Sequence, residues 1–162
     1  MTMRFIRYLA AGIALFGSAA HATTTTTTFQ VQMTIQANCT INSASSLDFG
    51  TQGTLTSNVD QSSTLQVQCT NTTPYNIGLD AGTGSGASVT TRKMTNGAAT
   101  INYSLYTNSG RTTVWGNTVS TDTVSATGNG AAQSYSVYGR VPAQTTPAPN
   151  VYSDTVTVTV TY

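Results

Sequence analysis

The stretch Phe29-Gln30-Val31-Gln32-Met33-Thr34-Ile35-Gln36 alternates apolar and polar residues without a break. A period of two is typical of a β-strand that buries one face. The apolar face would consist of Phe29, Val31, Met33 and Ile35. Burying four such side chains would contribute roughly 6–12 kcal/mol, at about 1.5–3 kcal/mol each. The segment is therefore expected to occupy an apolar groove.

The surroundings of this segment indicate whose groove it occupies. Six threonines precede it at residues 23–28, and only Ala37-Asn38 separates it from the next predicted strand, which begins at Cys39. Because neither Gly nor Pro is present to reverse the chain tightly, a local hairpin is not expected. The segment either reaches a distant edge of its own sheet or inserts into another molecule, and the second interpretation is favoured.

Residues 1–22 have the three parts of a secretory signal peptide. Arg4 and Arg7 supply a positive region, residues 9–16 are mostly apolar, and residues 20–22 read Ala-His-Ala, a typical cleavage site. The apolar run is too short to span a bilayer. Cleavage would leave an exported chain of about 140 residues, which is the size of one domain.

Charge excludes several functional classes. After residue 22 the chain has four basic side chains against five aspartates, which gives a net charge of −1. So few basic residues argue against nucleic acid or anionic lipid as a partner. The chain has no Glu, and its one His, His21, would leave with the signal peptide, so Ser-His-Asp and Cys-His sites are excluded. We predict no enzymatic activity and no catalytic, cofactor or metal site.

The two cysteines, Cys39 and Cys69, both lie in the exported part of the chain. An even count in an exported protein predicts a disulfide. Closing this loop of roughly 30 residues would contribute about 3–4 kcal/mol in the chain-entropy model.

The remaining sequence predicts an all-β fold, because Thr, Ser, Asn, Gly and Val dominate and alternating segments recur. Asn96-Gly97 should form a hairpin turn, and Trp115 is expected to be a core residue. The predicted strands are 39–50 with a break at 43–46, then 64–69, 75–79, 88–94, 100–106, 119–124, 133–141 and 155–162.

The last of these strands has no charge, Pro or Gly in eight residues. At an open sheet edge it would be prone to aggregation, because no gatekeeper residue protects it. Something is expected to cover it, and the equally uncharged segment at residues 29–35 is the natural complement.

Several motifs in order resemble the spore coat U domain, the pilin-like domain of archaic (Csu-type) chaperone–usher pili. The resemblance covers essentially all of the chain after residue 22. Its matching pieces are Ala37-Asn38-Cys39-Thr40-Ile41, Leu47-Asp48-Phe49-Gly50, Val67-Gln68-Cys69, Tyr103-Ser104-Leu105-Tyr106, Val137-Tyr138-Gly139-Arg140-Val141, and the terminal stretch from Tyr152 to Val160.

This resemblance implies an incomplete immunoglobulin-like antiparallel β-sandwich that is completed by a donor strand. In that family a periplasmic chaperone first lends a strand, and an outer-membrane usher exchanges it for the N-terminal strand of the next subunit. The resemblance implies a signal peptide at 1–22, a donor segment at 23–36 and a pilin-like domain at 37–162. The donor residues would be Phe29, Val31, Met33 and Ile35, and the edge strand of the acceptor groove would contain Val156, Val158 and Val160.

The favoured function is therefore a structural subunit of a surface pilus, exported through the periplasm, assembled by donor-strand exchange and supporting adhesion and biofilm formation. Its partners would be neighbouring pilin subunits, the chaperone and the usher, and not nucleic acid. The alternative is a secreted β-sandwich that completes itself and could bind carbohydrate or serve as a coat protein. The two hypotheses differ in whether purified protein polymerises through residues 23–36.

Overall fold

The computed structural model of the protein describes residues 21–162. Two units are distinguished, one ending at Thr34 and one comprising Ile35–Tyr162. In the first unit, residues 21–34 form no strand or helix, and the strands of the described residues lie in the second unit. Residues 1–20 of the predicted signal peptide lie outside the described residues.

The second unit contains antiparallel strands of four to eleven residues, which form because alternating side chains can bury one face. Within residues 21–162, no helix is long and apolar enough to cross a membrane. The strands are β1 Cys39–Ala44, β2 Val59–Cys69, β3 Pro74–Leu79, β4 Arg92–Asn96, β5 Ala99–Tyr106, β6 Val124–Thr127, β7 Ala132–Val141 and β8 Val158–Thr161.

The strands form two sheets that share one core. One sheet has the order β1-β2-β7-β5-β4, and the other has the order β6-β3-β8. Leu65 and Val67 of the first sheet and Ile77 and Leu79 of the second sheet are buried in the same apolar cluster. The predicted all-β antiparallel sandwich is therefore confirmed.

Two further sequence predictions are confirmed inside this core. Cys39 and Cys69 lie directly opposite each other on β1 and β2 and form a disulfide. Trp115 is buried, and its indole N–H donates a hydrogen bond of 2.8 Å to the backbone carbonyl of Ile77. The disulfide ties the edge strand β1 to the sheet, and Trp115 ties the loop before β6 to β3.

The hairpin and the strand after it differ in detail from the prediction. Asn96 pairs with Ala99, so the turn consists of Gly97 and Ala98, and Gly97 takes the positive φ (58°) that a two-residue turn needs at its first position. The strand predicted at 119–124 is wrong, because β6 begins at Val124. Residues 118–122 instead form a turn in which the Asp122 carboxylate accepts the Thr118 N–H at 2.7 Å.

The first and last predicted strands are shorter than expected. β1 ends at Ala44, and residues 45–58 are irregular. β8 begins at Val158 rather than at residue 155, because its partner β3 ends at Leu79, which pairs with Val158. The polar and apolar alternation continues upstream of β8, with Thr155 exposed and Val156 half-buried.

Candidate functional site

The two sheets leave a gap between one pair of edges. β1 is an edge strand of the five-stranded sheet, and β8 is an edge strand of the three-stranded sheet. No backbone pairing joins these two strands within the described residues. Asn38, just before β1, lies beside Tyr162, just after β8, with 3.4 Å between the Asn38 Oδ1 and the Tyr162 hydroxyl. The edges are therefore close at this end and open toward the start of β8.

At the open end the core is accessible through a groove with a volume of about 1190 Å³. Its walls carry side chains of both sheets, including Leu65, Tyr103 and Val137 of one sheet and Leu79 of the other. In a complete sandwich, a strand between the two edges would cover such side chains. We call this feature the open groove.

The edge valines predicted to border a groove take three different positions. Val158 lies at the start of β8 and lines the open groove, and Val156 lines it from the segment just before β8. Val160 is half-buried against the core but does not line the open groove. The structure therefore brings two of the three predicted residues to the groove.

Asp80 anchors the chain at the start of β8. Its carboxylate accepts the backbone N–H groups of Thr157 (2.9 Å) and Gly82 (2.9 Å), and its own N–H donates to the Thr157 carbonyl (3.1 Å). Burial alone would raise the pKa of Asp80, but these hydrogen bonds and the nearby charge of Arg92 outweigh burial and hold the pKa below its ordinary value. The β3–β8 ladder ends at Val158, and one residue earlier the Asp80 carboxylate binds the Thr157 N–H in place of a backbone carbonyl.

A buried cation supports the same region. Arg92 is fully buried, and its guanidinium donates to the backbone carbonyls of Leu79 (2.9 Å), Asp80 (2.7 Å), Val89 (2.8 Å) and Trp115 (2.8 Å). Burial lowers the pKa of Arg92, although the neighbouring carboxylates oppose that shift. Because arginine stays protonated even so, its hydrogen bonds fix the end of β3.

The segment leading into β8 also crosses to the other sheet. Ser153 exchanges two backbone hydrogen bonds with Thr95 of β4. The Asp154 carboxylate accepts the hydroxyl of the buried Tyr103 (2.8 Å) and the N–H of Thr83 (2.7 Å). These contacts hold residues 153 and 154 against the first sheet, where both line the open groove. The side of β8 that faces away from β3 stays unpaired within the described residues.

The predicted donor residues are exposed. The exposed fractions are 86% for Phe29, 83% for Val31, 83% for Met33 and 72% for Ile35. No strand is assigned between residues 21 and 38. Within residues 21–162 these four large apolar side chains, at alternate positions, are exposed together, and exposed apolar groups of this kind mark interaction sites.

Sequence reasoning missed the residues that position the groove edge, namely Asp80, Arg92 and Asp154. The one signal in the sequence was that charged residues are scarce after residue 22. Burying a charged side chain is costly unless it is hydrogen-bonded, so each of these few residues was a candidate for a specific structural contact. Within residues 21–162, no cluster of His, Cys, Asp and Glu side chains could hold a metal ion.

A family model and several solved structures match this chain. The family model described as the Spore Coat Protein U domain matches residues 25–159. One chain of the crystal structure of the CsuC–CsuE chaperone–tip adhesion subunit pre-assembly complex, from archaic chaperone–usher Csu pili of Acinetobacter baumannii, is similar with 26% identity and a TM-score of 0.58. That match covers 80% of this chain and 40% of the other, so this chain spans less than half of its length. No curated protein matches.

Proposed function

The chain belongs to the Spore Coat Protein U domain family, and we propose that it is a structural subunit of a surface pilus assembled by donor-strand exchange. The observation that carries this proposal is the combination of an open groove at the edge of β8 and an exposed, charge-free segment at residues 29–35. Strand addition to a free sheet edge uses ladder hydrogen bonds for affinity and side-chain pockets for specificity.

The two features are complementary in chemistry. The open groove is lined by aliphatic and aromatic side chains such as Leu65 and Tyr103. Its edge strand β8 has no strand beside it on one side within the part of the chain that the structure describes. The segment supplies four apolar side chains on one face, and no charge. Seven extended residues span about 23 Å at roughly 3.3 Å each, the length of an ordinary strand.

The geometry also supports a head-to-tail polymer. Asn38 lies at the C-terminal end of β8, so the N-terminal segment leaves the domain there, whereas the open groove widens at the opposite end of β8. A donor segment that enters a neighbour's groove at its wide end would run antiparallel to the neighbour's β8. Because outlet and groove lie at opposite ends of one subunit, each addition leaves a new groove available, and the chain can grow.

The proposal assigns the remaining partners and the location. Before assembly the groove would be covered by a periplasmic chaperone, and an outer-membrane usher would catalyse the exchange at the cell surface. The resulting fibre would support adhesion and biofilm formation. The chain would act as a structural protein with residues 1–22 as a cleaved signal peptide, residues 23–36 as the donor segment and residues 37–162 as the pilin domain, and it would have no enzymatic activity.

A truncated variant tests this function. A chain lacking residues 23–36 should fold on its chaperone and accept a donor from wild-type subunits, but it should not donate. Added to wild-type subunits, it should therefore shorten the polymers seen by size-exclusion chromatography and electron microscopy.

Deletion of residues 23–28 is the matched control, because it removes only threonines and leaves all four apolar donor residues. This shorter variant should polymerise as the wild type does. A wild-type protein that remains monomeric, with residues 29–35 protected in its own groove, would contradict the proposed function and favour a self-completed secreted domain.

A further inference from the structure

Residues 36–38, which join the apolar stretch at 29–35 to β1, are held by Thr70. The Thr70 hydroxyl accepts the backbone N–H of Asn38 (3.1 Å) and lies within hydrogen-bond distance of two carbonyls, those of Gln36 (3.2 Å) and Asn38 (3.3 Å). The Thr70 N–H also donates to the Asn38 carbonyl at 2.9 Å. We call this group of contacts the Thr70 clamp.

The clamp continues the β1–β2 ladder beyond the disulfide. Cys39 pairs with Cys69, and the Asn38 carbonyl then pairs with the N–H of Thr70, the next residue along. Gln36 and Asn38 both direct backbone groups toward Thr70. In an extended segment, residues two apart point their backbone groups to the same side, so this arrangement indicates an extended backbone. Residues 36–38 therefore extend the line of β1 and do not form a turn.

The direction of residues 36–38 decides which groove the donor segment can reach. To enter its own groove, the segment would have to reverse at residues 36–38, because β1 and the donor segment would run in opposite directions. A reversal in three residues would break the hydrogen bonds of Asn38 and Gln36 to Thr70. Resting on the proposed function, we propose that the Thr70 clamp directs residues 29–35 away from their own groove and so favours donation to a neighbouring subunit over self-completion.

A pair of substitutions at this position tests the inference. Thr70→Val keeps the shape of the side chain but removes the hydroxyl, whereas Thr70→Ser retains it. After release from the chaperone, Thr70→Val should raise the ratio of self-completed monomer to polymer by roughly fivefold, the effect of losing about one hydrogen bond. The amide of Asn38 should also exchange its hydrogen faster, and both properties should be near wild type in Thr70→Ser.

Thr127→Val is the matched control. Thr127 is an exposed β6 residue opposite Pro74, and its hydroxyl makes no hydrogen bond within residues 21–162. This variant should polymerise as the wild type does. Chromatography with protease protection of residues 29–35 would measure the monomer fraction, and thermal unfolding would report any general loss of stability.

The outcomes separate the clamp from a merely structural role. If Thr70→Val lowers the melting temperature but leaves the monomer-to-polymer ratio unchanged, the inference is wrong, and an equal shift in Thr127→Val would also overturn it. If wild-type subunits do not polymerise at all, the proposed function fails and this inference fails with it.

Discussion

Residues 29–35 and residues 156–160 have the same pattern and opposite environments. Both alternate apolar and polar side chains, and neither contains a charge. Val156, Val158 and Val160 are half-buried against the core, whereas Phe29, Val31, Met33 and Ile35 are exposed. Alternation thus specifies that a segment can form a strand with one buried face, but not which surface will bury it.

The difference arises from the neighbours of each segment. β8 has β3 beside it, and Val158 and Val160 pair with Leu79 and Ile77. Asp80 extends this attachment to Thr157. Residues 29–35 have no such ladder in the described chain, and the free side of β8 lacks one as well. Residues 29–35 carry an apolar face that needs covering, and β8 borders a groove that lacks a strand. The following variants test whether the two pair in the assembled fibre.

The largest effect is expected from charging the donor face. Val31→Asp would place an unpaired carboxylate in the neighbour's apolar groove, at a cost of several kcal/mol. The subunit should still fold on its chaperone, since Val31 is exposed and contributes nothing to the domain core. Fibres should fail to form or should dissociate on warming, as followed by electron microscopy and by gel analysis after heating.

Gln32→Asp provides the control for this variant. It introduces the same charge one residue away, on the face that would point out of the groove, so polymerisation should be close to wild type. Equal polymerisation by the two variants would show that residues 29–35 do not insert with the apolar face that the alternation predicts.

The sequence was sufficient to predict the fold and the disulfide, because both depend on local patterns. Alternation at Leu65, Val67 and Cys69 places three side chains inward, and two cysteines in an exported chain have one possible pairing. Strand ends were less predictable, since they depend on the partner strand. β8 begins at Val158 because β3 ends at Leu79, which no pattern in residues 155–162 encodes.

The supports of the groove edge could not be predicted from the sequence for a related reason. Arg92 lies in the strand predicted at 88–94, among Thr, Lys and Met, and nothing in that stretch indicates that its charged side chain is fully buried. Three of the four carbonyls that it binds, those of Leu79, Asp80 and Trp115, lie 12 to 23 residues away in the sequence and meet Arg92 only in the folded chain. Similarly, the turn at 118–122, in which the Asp122 carboxylate accepts the Thr118 N–H, takes the place of most of the strand predicted at 119–124.

An intermediate effect is expected from removing the disulfide, which ties β1, the edge strand across the gap from β8, to its sheet. β1 has mostly exposed side chains and, among the strands of residues 21–162, pairs only with β2, so Cys39–Cys69 is a major attachment of this strand. Replacing both cysteines by serine should lower the free energy of unfolding by about 2–5 kcal/mol. Urea denaturation, with mass spectrometry of alkylated wild-type protein to verify the bond, would measure this.

The disulfide variant also distinguishes the ability to accept a donor segment from the ability to donate one. Loss of the bond should weaken acceptance of a donor more than donation, because residues 29–35 are not altered. Mixed assembly with wild-type subunits would separate the two activities. Unchanged unfolding in urea, or two freely alkylated thiols in the exported wild-type protein, would show that the bond does not support β1.

The smallest effect concerns the other edge of the gap, where Asp80 attaches Thr157 to the end of β3. Because the pKa of Asp80 is lower in the folded chain than its ordinary value near 3.8, its charge stabilises the fold above that value. This contribution to stability is lost as the pH falls through the lowered pKa, because the carboxylate is then protonated in the folded and in the unfolded chain. A hydrogen bond from Arg140 likewise lowers the pKa of Asp60, so the pH dependence of wild-type stability contains both contributions.

Asp80→Asn should lower the free energy of unfolding by less than about 1 kcal/mol at pH 7, because the carboxylate is only partly buried and the asparagine side-chain oxygen can still accept the Thr157 N–H. The difference between the variant and the wild type in urea denaturation should then shrink below about pH 4. A difference that stays constant from pH 7 to pH 3 would mean that the shape of Asp80, and not its charge, holds the start of β8.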